Sequence, residues 1–294
     1  MTTPLPAPCA TERPAFQLHW GSHRMTLGRR TLVMGILNVT PDSFSDGGRF
    51  LSASDAIAQG ERLAAEGADL IDIGGESTRP GAPRVTVEEE RARVLPVIRI
   101  LARRLRVPLS IDTSKAAVAE AALDAGCALV NDVTALRGDA RMASVIARTK
   151  APVILMHMRG TPRTMQQRTR YRSLEAEVIA ELRDAMRHAV DAGIAKDRLL
   201  IDPGLGFAKT AAQSLRLLRR LDALQVLQRP VVVGPSRKSF IGAVLDAPVE
   251  ERLMGTAAAV ALAIAGGAHM VRVHDVRAMV HVVRMSDAIL NSAA

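Results

Sequence analysis

The chain has 294 residues, 48% hydrophobic and 23% charged, the balance of a soluble globular protein long enough for two average domains or one large barrel. Its formal net charge is +9 with an isoelectric point near 10.6, which suits anionic small ligands; with one Trp, one Tyr and no nucleic-acid-binding signature, DNA and RNA are not expected partners. Cys9 and Cys127 form no C-x-x-C pair, so neither a disulfide framework nor a thiolate metal site is expected, and the usage fits a reduced cytoplasm.

In chain order, "MTTPLPAPCATERP" is Pro-rich without a continuous apolar run and does not read as a secretory signal. "FQLHWGSHRMTLG" reads as a short hairpin, so residues 1–30 are expected to form a tail and hairpin ahead of the main unit. From there, short β-branched runs alternate with longer Ala/Leu/Arg patterns of helical period. Strands are predicted at Leu32–Leu37, Leu70–Ile73, Leu109–Ile111, Leu129–Val130, Val153–Met156, Leu199–Ile201, Val231–Val233 and Met270–Val273. Helices are predicted between them, among them Ser54–Glu66, Val87–Arg104, Leu174–Ala192 and Glu250–Ile264, with Ser54 and Ser173 as capping residues. The stretch "LMGTAAAVALAIAGGA", Leu253 to Ala268, is apolar almost throughout but falls short of the ~20 residues of a membrane span. It is predicted to be a buried helix against a sheet, with no membrane partner.

Strands alternating with helices imply a parallel sheet, because each crossover needs a dozen or more residues. Eight such units with no linker predict an α/β fold, a single (β/α)8 TIM barrel over residues 31–291 with a short N-terminal hairpin. A doubly wound open sheet is the alternative, and no G-x-G-x-x-G follows the first strand to support it.

The informative pattern is at the C-terminal end of each strand. "ILN", "LIDIGGESTRPG", "LSIDTSK", "LVNDV", "ILMHM", "LLIDPGLGFAK", "VVVGPSRKS" and "MVRVHD" place a charged or amide side chain there nearly every time. In a barrel, that end carries the active site. Asp132 and Asp275 are expected to be helix N-caps. Asp112, Asn131, Asp202, Lys238 and Arg272 are expected to converge on one rim, where buried charges need one another or a ligand. Two carboxylates beside an amide suit a heterocycle with several N–H donors, such as an aminopyrimidine or pterin. Lys238, Arg79, Arg272 and His274 suit phosphates. The Gly-rich loops could carry a second substrate or close over the site. Chemistry alone reaches a polar heterocycle beside a phosphate-like group and does not reach a reaction.

The motifs "GILNVTPDSFSDGG", "DIGGESTRPGA", "IDTSK", "NDV", "LMHMRGTPRTMQ", "DPGLGFAK", "GPSRKSFIG" and "RVHD" resemble, in order, those of the dihydropteroate synthase family. The resemblance implies a pterin-binding TIM-barrel transferase of folate biosynthesis. Such an enzyme condenses a dihydropterin-hydroxymethyl pyrophosphate with para-aminobenzoate, with Mg2+, giving dihydropteroate and pyrophosphate. Carried over by motif, Asp112, Asn131, Asp202 and Lys238 would hold the pterin, with Met156 and Arg272 flanking its ring. Asn38, Arg79, Arg272 and His274 would face the pyrophosphate, and Asn38 would touch Mg2+. Thr78, Arg79, Phe207, Ser236 and Lys238 would line the aminobenzoate site, and the loop through Phe44 and Gly48 would fold over the ligands. Asp112, Lys238 and Arg272 would be catalytic, pyrophosphate leaving before the amine attacks. Leu205 and Ala208 depart from the family's commoner Phe and Gly. Family membership also implies a homodimer through outer helices and a target for sulfonamides, or a resistant form. The rivals are a pterin-dependent methyltransferase domain, against which "ESTRPG" and "SRKSFIG" argue, and a catalytically silent relative, against which the intact polar set argues.

Overall fold

A computed structural model describes residues 13–21, 23–40, 53–78 and 81–292. Two short strands, β1 (Phe16–Trp20) and β2 (His23–Leu27), pair antiparallel as the predicted hairpin. Then follow β3 (Leu32–Asn38), α1 (Ala53–Ala65), β4 (Leu70–Gly74), α2 (Val87–Arg104), β5 (Leu109–Asp112), α3 (Ala116–Asp124), β6 (Leu129–Asp132), α4 (Met142–Thr149) and β7 (Val153–Met156). The chain ends with α5 (Leu174–Asp191), β8 (Leu199–Asp202), α6 (Ala211–Arg219), β9 (Val232–Val233), α7 (Ser239–Leu245), α8 (Leu253–Ala265), β10 (Met270–Val273) and α9 (Val276–Leu290). Strands β3 to β10 form one parallel eight-stranded sheet, and a bridge between Ile201 and Val231 joins β8 to the β9 segment and closes it. The fold is the expected (β/α)8 barrel.

Strand parity explains what the sequence places where. Leu32, Met34, Leu70, Leu129, Ile154, Leu200, Val232 and Met270 form one apolar cluster inside the barrel, and Leu18 and Leu27 of the hairpin join it, closing the bottom. Their neighbours of opposite parity, such as Val33, Ile71, Val130, Val153, Leu199 and Val271, pack outward against the helices. Two residues further along, the inward positions turn polar: Asp72, Ser110, Asn131, Asp202 and Arg272. Asn38 continues the inward parity of Met34 and Ile36, so the strand delivers it to the barrel's mouth.

The hairpin is tied down by Arg13, which donates to Ala268 O (2.6 Å) and pairs with Asp287 (2.9 Å). Gly28, at φ +102°, meets Pro14 O 2.4 Å from where a Cβ would stand, so only glycine fits the approach.

Several boundaries differ from expectation for local reasons. Three of the predicted strands end one residue later, on the polar residue itself (Asn38, Asp112 and Asp202), and the strand from Leu129 runs two further, to Asp132, because the ladder continues through these residues. Ser54 lies inside α1 rather than capping it, since the helix starts at Ala53. Ser173 stands at the N-cap of α5, but its side chain does not cap; Glu177 Oε1 accepts the N–H groups of Arg172 (2.6 Å) and Ser173 (2.7 Å) instead. Helix α8 begins at Leu253, after a 3-10 turn at Val249–Glu251 that follows Pro248. It is also only half-buried: Thr256, Ala259, Val260 and Ala263 face the core, while Met254 (76% exposed) and Leu262 (62%) face outward. Among the described residues, no helix is long and apolar enough to cross a membrane.

Candidate active site

The polar layer at the mouth centres on Arg272 of β10. Its Nε donates to Asp72 Oδ2 (2.6 Å) and its Nη2 to Asp112 Oδ2 (2.7 Å), so one guanidinium bridges carboxylates from β4 and β5. Asp72 also accepts from Ser110 Oγ and from Asn131 Nδ2 (2.9 Å). That bond orients the Asn131 amide, with its oxygen left for a donor. Asp112 is different: its Oδ1 is buried and has no hydrogen-bond partner. Burial raises the Asp112 pKa, Arg272 opposes the shift and the charge of Asp72 adds to it. A buried acceptor without a partner costs about 1–3 kcal/mol, so a ligand N–H arriving there is favoured.

A second group lies across the mouth. Asp202 ends β8 and accepts from Gly204 N (2.7 Å); burial raises its pKa, while Lys238 opposes the rise. Lys238 donates to Leu205 O, and its Nζ stands 4.6 Å from the centre of the Phe207 ring. Burial pulls the Lys238 pKa down to about 8, against the pull of Asp202. Met156, paired with Asp202 across β7 and β8, joins Val133, Met158, Met165 and Ala208 in an apolar wall that Phe207 covers. Met156 and Arg272 therefore stand on strands three places apart in the ring of eight, on facing sides of the mouth.

A third group lies between β9, β10 and β3. Ser236 Oγ accepts from His274 N (3.2 Å) and lies 3.0 Å from His274 Nδ1. Asn38 reaches over Gly74 toward Asp112; a Cβ on Gly74 would lie 3.7 Å from Asn38 Oδ1 and 3.9 Å from Asp112 Oδ2. Asn38 and His274 line a cavity of ≈ 680 Å3 that also receives Arg62, Arg237, Arg277 and His281. This basic opening suits a polyanion. Thr78 lines a different cavity of ≈ 330 Å3, with Asp112, Arg84, Arg137 and Arg163, and neither Phe207 nor Ser236 is in its wall. Arg79, Phe44 and Gly48 lie outside the described residues.

Neither aspartate set aside as a helix N-cap has that task. Asp132 points outward, accepting from Thr134 N (2.8 Å) and Leu136 N (2.8 Å), and holds a turn in which Ala135 and Leu136 have φ of 50° and 66°. Asp275 makes no cap bond; it takes Nε (3.0 Å) and Nη2 of Arg237. Arg237, between Ser236 and Lys238, is held at φ +57°.

Sequence reasoning noted Asp72 as the polar residue near the end of its strand without making it a site residue, and it passed over Ser110, His157 and Lys209. The available signal for Asp72 and Ser110 was parity. Asp72 lies two residues beyond inward Leu70, and Ser110 two before inward Asp112.

Mg2+ takes few protein ligands and keeps waters and substrate phosphates in its shell. Among the described residues no cluster of three or more His, Cys, Asp or Glu could hold a metal ion. The single Asn38 amide oxygen beside a basic cavity fits an ion that arrives with a pyrophosphate, and it does not fit a resident metal cage.

Comparison with known proteins agrees with this geometry. A sequence model of the family described as pterin binding enzyme matches residues 34–274. The dihydropteroate synthase of Synechocystis sp. is 50% identical over 267 residues, covering 89% of this chain and 91% of its own. A Xanthomonas albilineans dihydropteroate synthase, solved with 4-aminobenzoic acid, is 46% identical with a TM-score of 0.89, covering 95% of this chain and 100% of that one. A Yersinia pestis dihydropteroate synthase, solved in a sulfonamide drug complex, has 43% identity and a TM-score of 0.89, with 94% and 100% covered. The chain belongs to the dihydropteroate synthase family of pterin-binding enzymes.

Proposed function

We propose that the barrel mouth divides the labour of the family reaction among the three groups just described. A dihydropteroate synthase is a transferase of folate biosynthesis, joining 6-hydroxymethyl-7,8-dihydropterin pyrophosphate and para-aminobenzoate into 7,8-dihydropteroate and pyrophosphate. The observation that carries the assignment is the buried, unpartnered Asp112 Oδ1 beside the Arg272 bridge. Asp112, the Asn131 amide oxygen and Asp202 offer acceptors to the N–H groups of a pterin. Met156 and the Arg272 guanidinium flank its ring, and Lys238 closes the set.

The methylene carbon carries the pyrophosphate toward the basic cavity, where Asn38, His274 and, from the loop after β4, Arg79 receive it. Asn38 would help hold Mg2+, which would supply neutralisation of the leaving group's charge. The C–O bond breaks with its electron pair going to pyrophosphate, leaving a cation conjugated with the pterin ring. Asp112 and, at greater distance, Asp202 stabilise that cation electrostatically. The aniline nitrogen of para-aminobenzoate then forms the C–N bond and loses its proton to solvent. Phe207, Ser236, Lys238, Thr78 and Arg79 hold the second substrate, Thr78 from the cavity that it lines together with Asp112. No protein nucleophile is needed.

The same reading makes residues 31–291 the catalytic barrel, with the Phe16–Leu27 hairpin closing its bottom, working in the cytoplasm. A second copy of the chain would cover the exposed apolar residues Val244, Met254, Leu262, Met285 and Ile289 of α7, α8 and α9. Sedimentation equilibrium checks that dimer.

The test of the function is pyrophosphate release from the pterin pyrophosphate with Mg2+. Release that depends on para-aminobenzoate and is suppressed by a sulfonamide is expected. Folded protein that binds pterin but releases no pyrophosphate would contradict the reading and favour the methyltransferase or a silent relative. Aminobenzoate-dependent release that a sulfonamide leaves untouched would mark a resistant form.

A further inference from the structure

Lys209 is a lysine almost without solvent, 2% exposed, at the end of the loop that follows β8. Its Nζ makes three bonds: to Gly204 O (3.1 Å), to Phe207 O (3.0 Å) and to His157 Nδ1 (2.9 Å). Burial pulls the Lys209 pKa down to about 7, but two carbonyls and an imidazole nitrogen together call for three N–H donors, the ammonium form, and none of the ion pairs among the described residues involves Lys209. Because Lys209 is the donor, His157 Nδ1 accepts. The imidazole proton therefore stands on Nε2, facing Glu181 Oε2 at 3.1 Å. His157 is 1% exposed, and burial keeps it neutral, its pKa lowered to about 4. Glu181 is in turn gripped by Arg159, whose guanidinium lies 4.0 Å over the Tyr171 ring. The lysine thus rests on a support anchored in α5 and the loop after β7.

What it holds is the loop that serves the candidate site. Gly204 N–H binds Asp202, Leu205 O takes the Lys238 ammonium, and the Phe207 ring lies beneath it. The two carbonyls that Lys209 grips, those of residues 204 and 207, flank the Leu205 carbonyl on either side. Gly204 is pinned so closely that a Cβ there would stand 2.0 Å from His157 O, and its φ is +65°. Ala208, at φ +51°, turns the chain so that Lys209 points back beneath the loop.

We propose that Lys209, oriented by His157, is a positioning residue for the second substrate: it fixes the Leu205 carbonyl and the Phe207 ring, and through them the Lys238 ammonium, at the height para-aminobenzoate requires. The proposal rests on the synthase reading above. It differs from general support of the fold because the load falls on one loop, which faces the aminobenzoate side, while the Asp72–Arg272–Asp112 group stands on other strands.

The experiment compares the wild-type enzyme with Lys209→Met, His157→Asn and His157→Leu. The methionine keeps the length and loses all three bonds. Asparagine keeps an acceptor near the place of Nδ1, and leucine does not. Lys209→Met should raise KM for para-aminobenzoate at least tenfold. The Kd of 6-hydroxymethyl-7,8-dihydropterin, measured by calorimetry, should rise clearly less, because the loop touches only Asp202 and Lys238 of the pterin set, through Gly204 N–H and Leu205 O. His157→Leu should shift the same KM in the same direction, and His157→Asn should restore it. The inference is overturned if aminobenzoate KM stays within twofold, if the pterin Kd rises as much as that KM, or if the two His157 variants behave alike. Should Lys209→Met fail to fold, the His157 pair decides. Wild-type protein without turnover would overturn the synthase reading, and this inference with it; active wild type with unmoved KM would overturn this inference alone.

Discussion

Replacing Asp112 by Asn should lower kcat by about 10²–10³-fold, the roughly 2.7–4 kcal/mol lost when one preorganised electrostatic contact is removed from a transition state. The substitution keeps the shape and an amide oxygen, so pterin binding should fall much less than turnover. Stability should change little. Arg272 keeps its bond to Asp72 (2.6 Å), and the buried, partnerless Oδ1 is itself a liability in the empty protein. The sign of the pH effect follows. A buried carboxylate whose folded pKa is raised stabilises the fold at low pH, and that contribution is lost as pH rises toward the folded value. Asp112→Asn should therefore flatten the fall in stability on the alkaline side of the usual carboxylate range. Steady-state kinetics with thermal melts at several pH values check this. Full turnover in Asp112→Asn would remove the residue from the mechanism.

Arg272→Met should damage both function and fold. It leaves Asp72, with no exposed surface, and Asp112 as buried carboxylates without their common counter-ion. Breaking a buried pair by removing one partner costs about 3–5 kcal/mol, because the remaining charge is uncompensated. Here one cation serves two anions, so the upper half of that range is expected. Asp112, whose pKa burial already raises and Arg272 holds back, then keeps its proton more tightly still, so the loss should be largest at neutral and higher pH and smaller in mild acid. The double variant Asp112→Asn with Arg272→Met should be more stable than Arg272→Met alone, one buried charge fewer remaining. Denaturant titrations of the three variants measure this. A deficit in Arg272→Met that does not vary with pH would mean the bridge is energetically silent.

Much of this was written in strand parity. The alternation of apolar runs with helical pattern fixes the barrel, and motif order fixes which strand end carries which polar residue. Asn38 is the plainest case, a polar residue at the inward parity of an apolar strand. The same rule, applied to "LIDIG" and "LSID", points to Asp72 and Ser110, yet a carboxylate two residues from a strand's start reads locally like any buried charge. Its importance comes from Arg272, 200 residues away in sequence. Lys209 and His157 were hidden for a related reason: the loop after β8 folds back on the end of β7, a contact no periodicity encodes. Asp275 looked like a helix cap because it precedes α9, but Arg237 outcompetes the helix for its carboxylate. The apolar run of α8 read as a buried helix against a sheet, and it is only half-buried because composition cannot tell a core-facing stripe from an outward one.

In the proposed mechanism the charged group at the mouth drives pyrophosphate off before the amine bonds to carbon. The most direct measurement is the secondary deuterium isotope effect with the pterin pyrophosphate dideuterated at its 6-methylene carbon, taken on kcat/KM at low and high para-aminobenzoate. A carbon that flattens toward a cation in the transition state gives a normal effect clearly above unity, and that is the predicted result. An effect indistinguishable from unity would mean that the amine enters as pyrophosphate leaves, which would contradict cation stabilisation by Asp112.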